Sequence, residues 1–564
     1  MGQEPLASGH FPFPVTNLPL PHERVLRRVG AAADRLGLAA YVVGGAVRDA
    51  LLGRATTDLD FVAVGAGGGI ALAEAVAKDL GVGTASVYPS FGTAAVTVPA
   101  GAVEGEPERL VLEFVGARRE SYRADSRKPI VEDGTLEDDL RRRDFTVNAL
   151  AVALNAERFG ELVDPFGGLA DLAAGRLATP LDPRQTFDDD PLRMMRAARF
   201  AAQLGFEVDP DALAAMREKA ARIGIVSQER VTDELQKTVA SARPSLGLRI
   251  LFETGLLEHV VPELAALAGT EAVGGHGHKD NFYHTLGVLD NLVDLQRARG
   301  VEAPVEGRDL WLRWAALLHD IAKPDTKRFV PGQGWTFHGH EDLGPRRHIP
   351  RLFRRLRLPL GEPLRYVTDL VRLHHRPAAL VDEDVTDSAV RRLLFDAGED
   401  VDDLMTLVRA DVTSKNPRRV RRYLAGFDRV EEKMREVEEK DRLRSWQPPV
   451  DGHEVMEALG VGEGIAVGIA KAWIREAILE GEIPNEHDAA YAYLLARRDE
   501  ALRRAALFDV VVRHLRGPER AATGAVKDAL FWTDVPADPD EAVAYLLRVK
   551  DEALAAREEE ADAD

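Results

Sequence analysis

The chain has 564 residues, room for about three to five domains at roughly 100–200 residues each. Apolar residues make up 45%, which excludes wholesale disorder, and the absence of cysteine excludes disulfides, thiolate zinc sites, iron–sulfur clusters and a cysteine nucleophile. Any metal must therefore be held by His, Asp and Glu. With 93 acids against 73 bases the formal charge is −20, which argues against sequence-independent coating of nucleic acid and leaves room for a local basic groove. An acidic, Arg-rich surface also suits an enzyme of high-salt environments. No run of 18 or more apolar residues predicts a membrane span, and the N-terminus lacks the basic and apolar regions of a signal peptide, so a cytoplasmic protein is expected.

In chain order, Pro-rich residues 1–22 read as an extended arm. PHERVLRRVGAAADRLG predicts a helix, and AYVVGGAVRDALLG predicts strand, turn and helix. DLDFVAVG and LVLEFVGAR, rich in β-branched and apolar residues, predict strands. From about 166 to 265 the pattern is helical, in DPLRMMRAARFAAQLG, PDALAAMREKAARIG and SQERVTDELQKTVASA. AGTEAVGGHGHKD reads as a linker, and its His276 and His278 as non-ligands. A second helical block covers about 281–440, QPPVDG interrupts it, and a last helical region ends in the acidic tail AAREEEADAD.

Asp58 and Asp60 stand two apart on a predicted strand, so their carboxylates share a face. That pairing suits Mg²⁺, which takes oxygen ligands and keeps waters for substrate phosphates. Two such ions would clamp the attacking and leaving oxygens of an in-line phosphoryl transfer. A solvated strand edge would look the same in isolation. Upstream, Gly44 and Gly45 open a helix carrying Arg48 and Asp49, a setting that favours phosphate. Glu113, within LVLEFV, is a candidate third carboxylate from a neighbouring strand.

GGAVRDALLGRATTDLDFV resembles the catalytic signature of the class II CCA-adding tRNA nucleotidyltransferases and their poly(A) polymerase relatives. LRRRDFTVNALAV, DPFGGLADLAAGRL, DDPLRMMRAARFAAQLGF and SQERVTDEL match later family motifs in order. The resemblance implies an α+β fold, with a polymerase-beta-type head (a mixed sheet with helices) followed by all-helical neck, HD and C-terminal domains. It implies Mg²⁺ at Asp58 and Asp60, with tRNA, ATP and CTP as partners; Glu113 stays a candidate third catalytic carboxylate. Arg141, Arg142 and Arg143 are candidates for binding triphosphate. Asp144 and Asn148, four apart on a predicted helix, would share a face, and the resemblance implies that they help to recognise the sugar.

Asp190 and Arg193, three apart on a predicted helix, set an acceptor beside a donor fork. Cytosine and adenine both offer an amino donor next to a ring-nitrogen acceptor; guanine and uracil reverse the order. Such a pocket would select C and A without a nucleic-acid template, and in the family the corresponding residues form that protein template. Arg196 and Arg199, in the same motif, join the expected nucleotide-binding set, and Glu229 and Arg230 are expected to brace it.

Further on, His284, His319-Asp320 and Asp411 occur in the order that resembles the HD-domain metal phosphohydrolases. Imidazole with carboxylate suits a transition metal such as Mn²⁺ or Ni²⁺ more than a pure Mg²⁺ site. His340 and His374 are further candidate ligands, with His375 beside them, whereas His338 and His348 read as surface residues. One bacterial subgroup of the tRNA nucleotidyltransferases carries such a domain, associated with phosphatase and 2′,3′-cyclic phosphodiesterase activity.

The expected layout is 1–22 arm, 23–165 head, 166–265 neck, 266–440 HD domain and 441–564 C-terminal tRNA-binding region. Within the last, LGVGEGIAVGIAK reads either as a glycine hairpin facing an RNA phosphate or as a plain helix–helix turn. The Arg clusters RLFRRLRLP and NPRRVRRYL would contact RNA backbone or form solvated faces. RADSRKPIVEDGT is the candidate flexible loop that sets termination. The reading is CCA addition, with A-adding and poly(A)-adding enzymes as rivals, and an HD hydrolase with a degenerate RNA-binding head as the rival of another class. No membrane and no obligate protein partner are expected.

Overall fold

The computed structural model describes residues 22–562 except 66, 90–91, 124–125, 274–275, 278–279, 383–385, 415, 442–448 and 514. The arm (apart from His22) and His278 therefore lie outside the described residues. The chain forms two compact bodies, Met1–Arg372 and Leu373–Asp564.

The first body opens with α1 (Glu23–Leu36), whose Val25, Leu26, Val29, Ala32 and Ala33 recur at helical spacing and are buried. Then come β1 (Ala39–Val43), α2 (Gly45–Leu51), β2 (Asp58–Val64), α3 (Gly68–Leu80), β3 (Ser86–Tyr88), β4 (Thr93–Val98) and β5 (Leu110–Gly116). After the hairpin β6 (Arg118–Arg123) and β7 (Ser126–Asp133) follow α4 (Leu136–Arg141), β8 (Ala151–Ala153) and β9 (Leu162–Val163). Seven strands form one mixed sheet in the order β3-β4-β5-β2-β1-β8-β9. β2 lies antiparallel to β1 and parallel to β5, which puts Asp60 level with Glu113. Beneath, Phe61 and Phe114 stack with centroids 4.8 Å apart in the core. At Gly69 in α3 a Cβ would meet the Gly116 nitrogen at 2.6 Å, so only glycine lets the helix lie this close to β5.

Most of the segment expected to be the flexible loop, 123–135, is instead strand β7 of the hairpin. The neck follows as α5 (Gly168–Ala174), α6 (Pro183–Asp189), α7 (Leu192–Leu204), α8 (Pro210–Lys219), α9 (Gln228–Ala240) and α10 (Pro244–Glu253). Next come the helices Asn281–Ala298 and Gly307–Leu318. Arg313 of the latter is buried and donates to the Val239 and Ser241 carbonyls at the end of α9, at 2.9 and 2.6 Å. Two regions expected to be purely helical also hold short ribbons: Arg176–Leu177 pairs with Glu207–Val208, and Arg328–Val330 with Gly334–Thr336. Gly332 and Gly334, both at positive φ, make the second turn possible.

Among the described residues of the second body the regular elements are all helices. One of its cores centres on Val455, Ile469, Ile474 and Leu494; another on Val511, Val526, Leu530 and Leu546.

Candidate active site and metal centre

Asp58, Asp60 and Glu113 share one face of the sheet on two of its central strands, Asp60 and Glu113 as register neighbours. Desolvation raises the Asp60 pKa, with Arg143 opposing and Asp58 adding; desolvation, then Asp60 and Asp58, raise that of Glu113. Strand alternation and register therefore put the three carboxylates on one face, an oxygen-rich setting of the kind a divalent cation takes. Gly44, at φ 75°, passes over them: a Cβ there would lie 2.6 Å from Arg143 Nη1 and 3.6 Å from Asp60 Oδ2. Gly45 follows as the first residue of α2.

Beside the carboxylates lies a cleft of about 260 Å³ lined by Arg142, Arg143, Asp144, Asp190, Arg193, Arg196 and Arg230, with Leu192. Arg142 and Arg143 are held by the fully buried Asp139, at 2.7 and 3.3 Å. Asp139 was not a sequence candidate; its signal is an acid three and four residues ahead of two arginines. Arg141 does not join them and pairs with Glu137 at 2.5 Å.

Asp190 lies at the end of α6, not on a helix shared with Arg193; its Oδ1 accepts from Leu192 N and its Oδ2 from Arg230 Nη2, both at 3.2 Å. Arg193, in the first turn of α7, donates to the Thr186 and Arg142 carbonyls at 3.4 and 2.5 Å. Arg230 thus braces the cleft as expected. Glu229 does not; it is exposed and ion-paired with Arg357.

Behind the cleft runs a buried polar chain. Asn148 donates to Asp144 Oδ1 at 2.9 Å, and Arg196 Nε donates to Asp144 Oδ2 at 2.7 Å. The expected common helix is absent: α4 ends at Arg141 and Asn148 closes a 3₁₀ turn, Thr146–Asn148, yet the two side chains still meet. Burial alone would raise the Asp144 pKa, but Arg196 and Asn148 hold it far below the usual carboxylate range. Two expected nucleotide contacts are internal instead. Arg48 is buried and grips Asp49 at 2.9 and 2.8 Å and Asn148 at 2.7 Å. Arg199 is buried against Glu234 at 2.5 Å. A buried guanidinium requires such partners. Glu234, missed as a candidate, sits on the apolar face of α9 with Val231, Leu235 and Thr238, an inward-facing acid.

A second cluster joins the first turn of helix Asn281–Ala298 to the end of helix Gly307–Leu318. His284, His319 and Asp320 offer ligand atoms within 4.8 Å of one another. The Nε2 atoms of His284, His319 and His340 lie 3.5, 3.2 and 3.3 Å from the Asp320 carboxylate, and Lys323 Nζ lies at 2.6 Å. His319 and His340 direct Nδ1 at the carbonyls of Ala316 and Phe337, at 2.8 and 2.7 Å. That arrangement fixes the ring orientation and aims Nε2 inward, as metal-ligating histidines require, so the residues fit a metal. Burial opposes ionisation of Asp320, but the facing His319, His340 and Lys323 hold its pKa well below normal. His338 is exposed, as expected, whereas His348, also expected at the surface, is half-buried and pairs with Asp325 at 2.8 Å. His276 lies in a two-residue strand. In the second body, His374 is buried with its ring 4.1 Å from that of His375, and Asp411 closes the helix Val401–Ala410.

Of the Arg clusters, Arg355 is tied to Glu263 at 2.5 Å, while Arg418, Arg419, Arg421 and Arg422 are exposed at the start of helix Pro417–Asp441. The glycine segment is a turn between the helices Gly452–Leu459 and Ile465–Glu480, with Gly460 at φ 70°.

Three family models match the chain: the poly(A) polymerase head domain over residues 40–178, the probable RNA- and SrmB-binding site of polymerase A over 205–267, and the HD domain over 281–412. The CC-adding tRNA nucleotidyltransferase of Thermus thermophilus is 34% identical over 463 residues, 81% of this chain and 93% of that protein. The chain belongs to the tRNA nucleotidyltransferase family. The A-adding tRNA nucleotidyltransferase of Deinococcus radiodurans is 34% identical over 63% of this chain and 78% of its own. The multifunctional CCA protein of Xanthomonas campestris is 35% identical over 66% and 84%. Among solved structures, the Bacillus stearothermophilus CCA-adding enzyme in complex with CTP is 25% identical, covering 85% of this chain and 98% of that one, with a TM-score of 0.55. The Thermotoga maritima CCA-adding enzyme complexed with tRNA covers 84% of this chain and 95% of its own at 21% identity and a TM-score of 0.52, and so shares the fold. The family is an enzyme class, and its nucleotidyltransferase and HD domains work with divalent metals. Among the described residues no helix is long and apolar enough to cross a membrane.

Proposed function

We propose that this tRNA nucleotidyltransferase adds C, C and A to the 3′ end of tRNA from CTP and ATP, in the cytoplasm. The observation that carries the reading is the adjacency of the carboxylates and the Asp190–Arg193 cleft, joined through Arg143. Asp58, Asp60 and Glu113 are assigned to hold two Mg²⁺ ions, which when bound supply charge stabilisation to both the attacking and the leaving oxygen. Arg142 and Arg143 face the triphosphate. Asp190 accepts the exocyclic amino group of C or A while Arg193 donates to the neighbouring ring nitrogen. Asp144 and Asn148 form the wall toward the sugar. The tRNA 3′-hydroxyl then attacks the α-phosphorus, and the bond to pyrophosphate breaks. With no bulk chemistry for a side chain to perform, catalysis rests on positioning and charge.

His284, His319, Asp320 and His340 are assigned to a transition metal such as Mn²⁺ or Ni²⁺ in a phosphohydrolase site; support comes from the HD match, which spans all four, and from the inward-facing Nε2 atoms of His319 and His340. The domain assignment is head 23–165, neck 166–265, HD 266–440 and C-terminal region 441–564. An A-adding specialist is the second reading, because such an enzyme is among the relatives. Asp58→Ala should abolish nucleotide transfer while leaving hydrolysis of a phosphoester; retained transfer would remove the carboxylate assignment.

A further inference from the structure

The second body contains a cleft of about 560 Å³ between the helices Ile465–Glu480 and Thr523–Trp532. Gly468, Lys471, Ala472 and Arg475 lie along one stripe of the first helix; Lys527, Asp528, Phe531 and Trp532 line it from the second. At Gly468 the Phe531 ring comes close, 3.4 Å from where a Cβ would stand, and closes the floor.

Three cations thus face one carboxylate, in a chain whose net charge is −20. None of the three forms an ion pair among the described residues, and Lys471 acts on the capping Asp451 only through charge. What they contact is aromatic: Arg475 lies 5.7 Å from the Trp532 ring and 5.6 Å from Phe395, and Lys527 lies 5.3 Å from Phe531. Trp532 is nearly half exposed, yet its helix end is fixed. Trp473 Nε1 and Arg504 Nη1 donate to the carbonyls of Phe531 and Leu530, at 2.9 and 2.8 Å. An exposed, rigid indole beside uncompensated cations has the composition of a site that stacks a base and neutralises its phosphate.

We propose that this cleft holds one nucleotide unit of the RNA substrate, its phosphate at Lys471, Arg475 and Lys527 and its base on Trp532. The inference rests on the proposed tRNA activity and adds an RNA contact remote from the head's nucleotide cleft in sequence.

The test measures binding of a tRNA lacking CCA to the full-length protein across a KCl series, for wild type, the Lys471→Gln/Lys527→Gln double variant and Trp532→Ala. Both lysines are exposed, so their replacement leaves the fold intact. The double variant should lower the salt slope of log K by about 1.4–1.8, and each variant should weaken tRNA binding about ten-fold. The Lys471→Arg/Lys527→Arg variant should restore the slope, and kcat at saturating tRNA should stay at the wild-type value. Unchanged affinity and slope would overturn the proposal. So would loss of AMP or CTP binding with tRNA affinity intact, which would make the occupant a free nucleotide. Failure of the functional reading is distinguishable, because it would appear as a wild-type protein that transfers no nucleotide.

Discussion

Asp190→Asn should loosen discrimination against UTP by a calculable amount. In the cleft Asp190 is an acceptor and Arg193 a donor, and uracil presents O4 to the first and N3–H to the second, so both contacts fail. Each unsatisfied or opposed polar contact costs about 1–3 kcal/mol, which gives CTP over UTP a preference of roughly 30- to 20 000-fold. An asparagine amide can turn its nitrogen to O4, which removes one of the two penalties. The ratio of kcat/KM for CTP to that for UTP should therefore shrink by roughly 5- to 150-fold. The fold should tolerate the change: the Leu192 N–H at 3.2 Å can still be accepted by the amide oxygen, and the lost Arg230 pair is partly exposed. Such a pair contributes at most about 1 kcal/mol. The assay is single-turnover extension with each nucleotide. Equal losses with CTP and UTP, leaving their ratio unchanged, would refute base reading by Asp190.

Asp144→Asn removes the partner of Arg196 and breaks the buried chain, and should destabilise the fold by about 3–5 kcal/mol at pH 7 in urea titration. Because the Asp144 pKa is depressed in the fold, that gap is present above the ordinary Asp pKa and should close as pH falls below about 4; a constant gap would contradict the electrostatic origin. Asp60 has the opposite sign. Its raised pKa means that the metal-free fold disfavours the ionised form, so Asp60→Asn should raise the melting temperature of metal-free protein at pH 7 while abolishing transfer. A lowered melting temperature would count against the cost that desolvation, with the nearby Asp58 charge, places on the ionised form. His319→Ala should lose the transition metal on elemental analysis and phosphoesterase activity, with nucleotide addition intact; full metal content would remove His319 from the ligand set.

The strand pair that carries Asp58, Asp60 and Glu113 was legible because alternation and β-branched composition fix both the strand and the face. The helices bearing Arg193 and His319 were legible from 3.6-residue periodicity for the same kind of reason. What escaped the sequence was pairing at long range. Arg48 and Arg199 look identical to ligand-binding arginines until Asn148 and Glu234 arrive from distant segments. Local spacing misled at Asp144 and Asn148: four residues apart suggested a helix, whereas a turn and a 3₁₀ segment bring the side chains together. The hairpin β6–β7 was hidden because its sequences, RRESYR and SRKPIVED, show no apolar–polar alternation, so periodicity had nothing to report. The cleft at Trp532 combines residues some 60 positions apart, and neither helix alone marks it.

The most direct test is tailing of a tRNA transcript lacking its 3′ CCA, with CTP alone, ATP alone and both together. Two additions with CTP, a third only when ATP is also present, and then arrest are the predicted result. A single A on CC-ending tRNA alone, an extended A ladder, or no transfer at all would each contradict CCA addition.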